Sequence, residues 1–222
     1  MYGRELASPV VTTAAWVLLA VAGVFAVGDW IAVARESLPL EYVCKPAATV
    51  AFIATAALLD PAHSDTRAWF VAALVFCLFG DVFLMLPDDR LVPGLASFLV
   101  AQVLFTVGFL LHPGPGAGAY AAGLVLVGVV GSGLLVRFVG ALRRSGRREL
   151  VVPLVAYFVA ISAMVVSAVG SRNGFAIAGS VLFFVSDAVI GETRFVAPRR
   201  HSAVAIMVTY ELALAGLVLS LV

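Results

Sequence analysis

Residues Ile177–Glu192 read IAGSVLFFVSDAVIGE, an apolar run interrupted by one carboxylate, Asp187. About 20 apolar residues in a helix cross a bilayer core about 30 Å thick, so the run reads as a membrane span. A charge near the centre of such a helix costs about 2.5 to 3.5 kcal/mol on insertion scales, so Asp187 marks a site and needs partners on other helices.

The rest of the chain has the same character. Its 222 residues are 63% hydrophobic and 12% charged, with a mean hydropathy of +1.10, whereas soluble domains carry about 25% charged residues. Eight segments are long and apolar enough to span: 9–28, 42–59, 68–86, 92–111, 119–139, 150–169, 174–191 and 202–221. Short breaks with turn and charge signals separate them: ARESLPLE, DPAHSDTR, PDDR, HPGPGAG, RRSGRRE, SRNG and ETRFVAPRRH. The expected architecture is an all-α polytopic bundle of eight transmembrane helices, forming one integral membrane domain over 1–222. The first span follows MYGREL, in which Arg4 and Glu5 cancel, so it reads as retained and not as a secretory signal. A net charge of +1 and the lack of a basic stripe interleaved with aromatics argue against nucleic acid as a partner. Cys44 and Cys77 sit in apolar segments and read as small buried hydrophobes.

Arginine sets the orientation, because positive loops stay cytoplasmic. Arg4, Arg67 and Arg172 lie on one face, while Arg35, Arg90, Arg143, Arg144, Arg147, Arg148, Arg194, Arg199 and Arg200 lie on the other. With eight spans this puts both termini outside and the arginine-rich loops in the cytoplasm. The expected location is a bacterial inner (plasma) membrane, with membrane lipids as neighbours.

Few ionisable groups fall inside the spans: Lys45, Asp81, Asp187 and Glu211, with Asp29 and Arg137 nearer helix ends. At 1.5 Å per residue, Lys45, Asp81 and Asp187 lie within roughly 5 to 9 Å of the arginine-rich surface. Tyr157 falls at a similar level, and Gln102 and Tyr210 lie deeper. Two carboxylates and one ammonium at one depth leave a surplus negative charge, and a low-dielectric pocket favours holding one carboxyl protonated beside an ionised one. The plainer alternative is a buried triad that only fixes helix register. Asp29 and Arg35 read as a wet helix end, with the GDW stretch at Gly28–Trp30 alternatively bordering the pocket, and Glu211 reads as a group paired with another helix. Phenylalanines 76, 79, 83, 183 and 184 flank the two aspartates and suit core packing or an acyl-chain slot. No metal or other cofactor is expected: His63, His112 and His201 lie in separate loops, and no HExxH motif is present.

Four stretches, KPAAT at Lys45–Thr49, GDVFLM at Gly80–Met85, GLASFLVAQ at Gly94–Gln102 and GSVLFFVSDAVIGETRF at Gly179–Phe195, are followed by Tyr210 in the last span. In order and spacing they resemble the YhhN-like lysoplasmalogenase family of eight-helix membrane proteins. The resemblance implies an ether hydrolase that cleaves the vinyl-ether bond of a lysoplasmalogen to a fatty aldehyde and a glycerophospho-alcohol. It further implies that Lys45, Asp81, Ser186 and Asp187 are site residues, with Tyr210 a weaker match. At Gln102 the family commonly has histidine, and at Phe105 often tyrosine. Lys45, Asp81 and Asp187 are the expected catalytic residues, and Ser186, Tyr157, Gln102 and Tyr210 the expected substrate-binding ones. The expected partner is a lysophospholipid dissolved in the bilayer. Two alternatives from other classes stay open: a proton-coupled small-solute transporter using the same residues as a relay, and a non-catalytic lipid-binding protein.

Overall fold

The computed structural model describes residues 12–61, 63–87, 90–114 and 116–222. Those residues form eight α-helices and no β-strand: α1 (Thr13–Ala34), α2 (Leu38–Leu58), α3 (Ser64–Met85), α4 (Leu91–Leu111), α5 (Ala117–Arg144), α6 (Val151–Ser171), α7 (Gly174–Gly191) and α8 (Ser202–Leu219). A 3-10 turn, Arg148–Leu150, leads into α6, and a π-helical turn, Glu192–Val196, extends α7. The expected start of the first span at residue 9, together with Arg4, Glu5, Asp88 and Asp89, lies outside the described residues.

Seven of the eight helices are long and apolar enough to cross a membrane. The exception, α2, is diluted by Glu41, Lys45 and Pro46. It begins at Leu38, four residues before the expected 42, with Pro39 in its first turn, where the missing N–H of proline costs nothing. The earlier start draws Glu41 into the helix, one turn before Lys45. Pro46 then removes the backbone hydrogen bond to the Tyr42 carbonyl in mid-helix.

Seven helices close into a ring. Consecutive pairs α1–α2, α2–α3, α3–α4, α6–α7 and α7–α8 pack side by side, α4 packs on α6, and α8 returns to α1 and α2. Helix α5 stands outside the ring, against α6 and the π-helical turn. Large residues turned outward include Val24, Val129, Val136 and Val152, which are 72% to 76% exposed. A face this apolar belongs against hydrocarbon.

Helices in a bilayer gain little from hydrophobic burial against each other, so close approach at small residues holds them together. The α7–α8 contact shows this best. A Cβ on Gly179 would sit 2.7 Å from the Leu217 nitrogen, and one on Gly216 would sit 2.9 Å from the Gly179 Cα. That backbone contact fixes α7, which carries Asp187, against α8, which carries Tyr210. Beside it, Phe98, Phe183 and Tyr210 meet edge to face with centroids 5.6 to 6.0 Å apart. Asp29 corrects the expectation of a wet helix end: it is wholly buried, and neither of its carboxylate oxygens has a hydrogen-bond partner among the described residues.

Candidate active site

All seven side chains singled out in the sequence meet at the arginine-rich end of the bundle. Asp81 on α3 is buried and accepts two hydrogen bonds on Oδ2, from Thr49 Oγ1 at 2.7 Å and from the Tyr210 hydroxyl at 2.9 Å. Asp187 on α7 also accepts two on Oδ2, from the Tyr157 hydroxyl at 2.7 Å and from Gln102 Nε2 at 3.0 Å. In both aspartates Oδ1 accepts no hydrogen bond among the described residues. Helices α2, α3 and α8 thus hold one carboxyl, and α4, α6 and α7 hold the other.

Lys45 does not bridge the aspartates directly. Its ammonium donates to Glu41 Oε1 at 2.6 Å, one helical turn away, and acts on Asp81 through space. Glu41 is therefore a member of the cluster that the expected helix start at 42 had left in a loop. The i, i+4 spacing of Glu41 and Lys45 was the available signal. Thr49 was missed as well, although it closes the KPAAT stretch. Its Oγ1 lies 2.7 Å from Asp81 Oδ2 and 3.4 Å from the Lys45 carbonyl. The Ser186 hydroxyl donates to the Ile206 carbonyl on α8 at 3.1 Å. Glu211 on α8 is buried beside Trp30 of α1, and neither of its oxygens accepts a well-formed hydrogen bond among the described residues.

Two hollows meet at this cluster. The first, about 200 Å³, gathers the polar side chains of Glu41, Lys45, Asp81, Ser186, Asp187 and Tyr210, with exposed Arg194, among apolar residues such as Leu84, Phe98 and Met207. The second, about 190 Å³, is an apolar groove between α4, α5, α6 and α7. Leu95, Leu134, Phe138, Leu154, Phe158 and Phe184 line it, and Tyr157 and Asp187 close it. Asp187 thus stands in the wall that both hollows share. Gln102 lines neither and reaches the site through Asp187, with the Tyr157 hydroxyl beside it. Of the phenylalanines read as core packing or an acyl slot, Phe184 alone faces the groove, while Phe183 is packed in the core.

Among the described residues, the one group of three potential metal ligands that approach one another is His63, Asp65 and His112, at the other end of the helices. The two histidines that the sequence assigns to separate loops are therefore neighbours. His201 stands apart from them, before α8.

Apolar helices packed around two hydrogen-bonded carboxyls, Asp81 buried and Asp187 half-buried, define a polytopic membrane protein with a candidate acidic site. Residues 40–221 match the YhhN family, and the chain belongs to that family. It is 35% identical over 175 residues to proteins named lysoplasmalogenase from Mycobacterium bovis and Mycobacterium tuberculosis. The matches cover 75% of this chain and 65% of each relative. It is 30% identical over 138 residues to human lysoplasmalogenase TMEM86B, covering 62% of this chain and 56% of that protein. The chain therefore spans less than two thirds of the length of these relatives. No solved structure matches it.

Proposed function

We propose that the chain is a membrane hydrolase that cleaves the vinyl-ether bond of a lysoplasmalogen or a related single-chain ether lipid, releasing a fatty aldehyde and a glycerophospho-alcohol. The position of Asp187 carries this reading. A lysoplasmalogen has a polar phosphoglycerol on one side of its vinyl ether and an alkyl chain on the other. A hollow that holds the charged side chains and an apolar-walled groove, with the Asp187 carboxyl in their common wall, match that division. The names of the mycobacterial and human relatives point the same way.

Vinyl ethers resist bases and nucleophiles, and hydrolyse once the carbon β to the oxygen is protonated. The resulting oxocarbenium ion is captured by water, and the hemiacetal collapses to aldehyde and alcohol. Asp81 is assigned as the acid. Its donors are both hydroxyls, and Thr49 is able to turn its own hydrogen toward the Lys45 carbonyl and accept one from Asp81. Asp187, whose Oδ2 takes both the Gln102 amide N–H and the Tyr157 hydroxyl, is assigned as the ionised partner, since donors to a carboxylate favour its charged form. It stabilises the cation and orients the attacking water. Lys45 and Arg194, both on the polar hollow, are suited to the phosphate.

In this reading all eight helices cross the bilayer as one domain. The charges that dilute α2 turn inward to the hollow. Both termini are outside, and the site opens toward the cytoplasmic leaflet. The test is aldehyde release from a defined lysoplasmalogen by purified protein in detergent. Turnover supports the assignment. Solute uptake into vesicles without aldehyde release would replace it with a transporter.

A further inference from the structure

The end of the bundle away from the hollows carries a second cluster of polar side chains. Helices α3 and α4 are antiparallel neighbours, so the start of one meets the end of the other, and a histidine flanks each: His63 precedes α3 and His112 follows α4. The two imidazoles stack with centroids 3.6 Å apart and planes 10° apart. Asp65, in the first turn of α3, has its oxygens 2.9 and 3.1 Å from His112 Nε2. One ligand atom from each of His63, Asp65 and His112 lies within 4.8 Å of the other two, and all three residues are exposed.

A hydrogen-bonded His112–Asp65 pair needs no third member. His63 adds no hydrogen bond to it and makes no cap bond to α3, yet it presents a second imidazole to the same carboxylate. Two imidazoles and a carboxylate suit zinc and its neighbours among the divalent transition metals, whereas magnesium and calcium favour all-oxygen sets. Ligands about 2.1 Å from a tetrahedral ion stand about 3.4 Å apart, so modest rotation of these exposed side chains closes the site.

We propose that His63, Asp65 and His112 bind a divalent transition-metal ion of the zinc type, tying the start of α3 to the end of α4. The chain supplies three ligands, and water completes the shell. Along α3, Asp65 stands about 24 Å from Asp81 at 1.5 Å per residue, so the site is independent of the proposed hydrolysis.

The test is calorimetric titration of tag-free, full-length protein in detergent with zinc chloride, with magnesium chloride as the control. One zinc ion binds per chain, zinc raises the melting temperature, and magnesium gives no signal. His63→Ala and His112→Ala each weaken zinc binding by about tenfold or more, while their metal-free melting temperatures match the wild type. His201→Ala, at the other end of the bundle, binds as the wild type does. No zinc binding, or binding that survives both His63→Ala and His112→Ala, overturns the site.

Discussion

Asp81 and Asp187 each accept two hydrogen bonds on Oδ2, from Thr49 and Tyr210 in one case and from Gln102 and Tyr157 in the other. Their surroundings differ. Asp81 faces only the polar hollow, near the Lys45–Glu41 pair, whereas Asp187 also closes an apolar groove. The donors differ too: hydroxyls alone at Asp81, an amide and a hydroxyl at Asp187. Two hydroxyls tolerate either protonation state of their carboxyl, and an amide N–H favours the ionised one. Two similar carboxyls thereby sit in different settings, and the proposed reaction gives them different tasks.

The largest effect expected from breaking this pairing comes from Asp81→Asn and Asp187→Asn. Each lowers aldehyde release by about 10³-fold, the scale of a lost general acid or charge stabiliser. Their melting temperatures stay close to that of the wild type, because asparagine keeps the shape and accepts the same bonds. A wild-type rate in either variant removes that aspartate from the chemistry.

Leu154→Trp tests the apolar side by filling the groove. KM for a long-chain substrate rises about tenfold, a methylene being worth about 0.8 kcal/mol, while a short-chain substrate is unaffected. Equal losses for both substrates would mean that the groove does not hold the chain. Next come the two tyrosines. Tyr157→Phe and Tyr210→Phe each remove one hydrogen bond to a charged or acidic group, and kcat falls about tenfold. Gln102 acts through Asp187, and the smallest effect of all is that of its histidine variant. Gln102→His keeps activity within about threefold, while Gln102→Leu loses about tenfold.

Much of this arrangement is legible in the sequence, because a charge in an apolar helix is conspicuous. Lys45, Asp81 and Asp187 stand out in that way, and depth along each helix places them at one level. Neutral polar groups do not announce themselves so clearly. Thr49 reads as an ordinary helix residue until Asp81 is seen 2.7 Å away. Glu41 was hidden by a boundary, since Pro39 is as compatible with a loop as with the first turn of α2. The groove and the His63–His112 contact depend on which helices are neighbours. Interhelical order is set by close approach at residues such as Gly179 and Gly216, and period and hydropathy do not encode it. Asp29 shows the converse error: proximity to a helix end suggested water, and packing of α1 in the ring buried it completely.

The protonation step is open to direct measurement. Hydrolysis is run in heavy water by the wild-type protein, and the aldehyde is reduced at once to the alcohol so that label is neither gained nor lost by exchange. The predicted product carries one deuterium on the carbon next to the former carbonyl, delivered there by the acid at Asp81. Product without deuterium at that carbon would mean that the vinyl ether is not opened by carbon protonation, and would contradict the roles assigned to both aspartates.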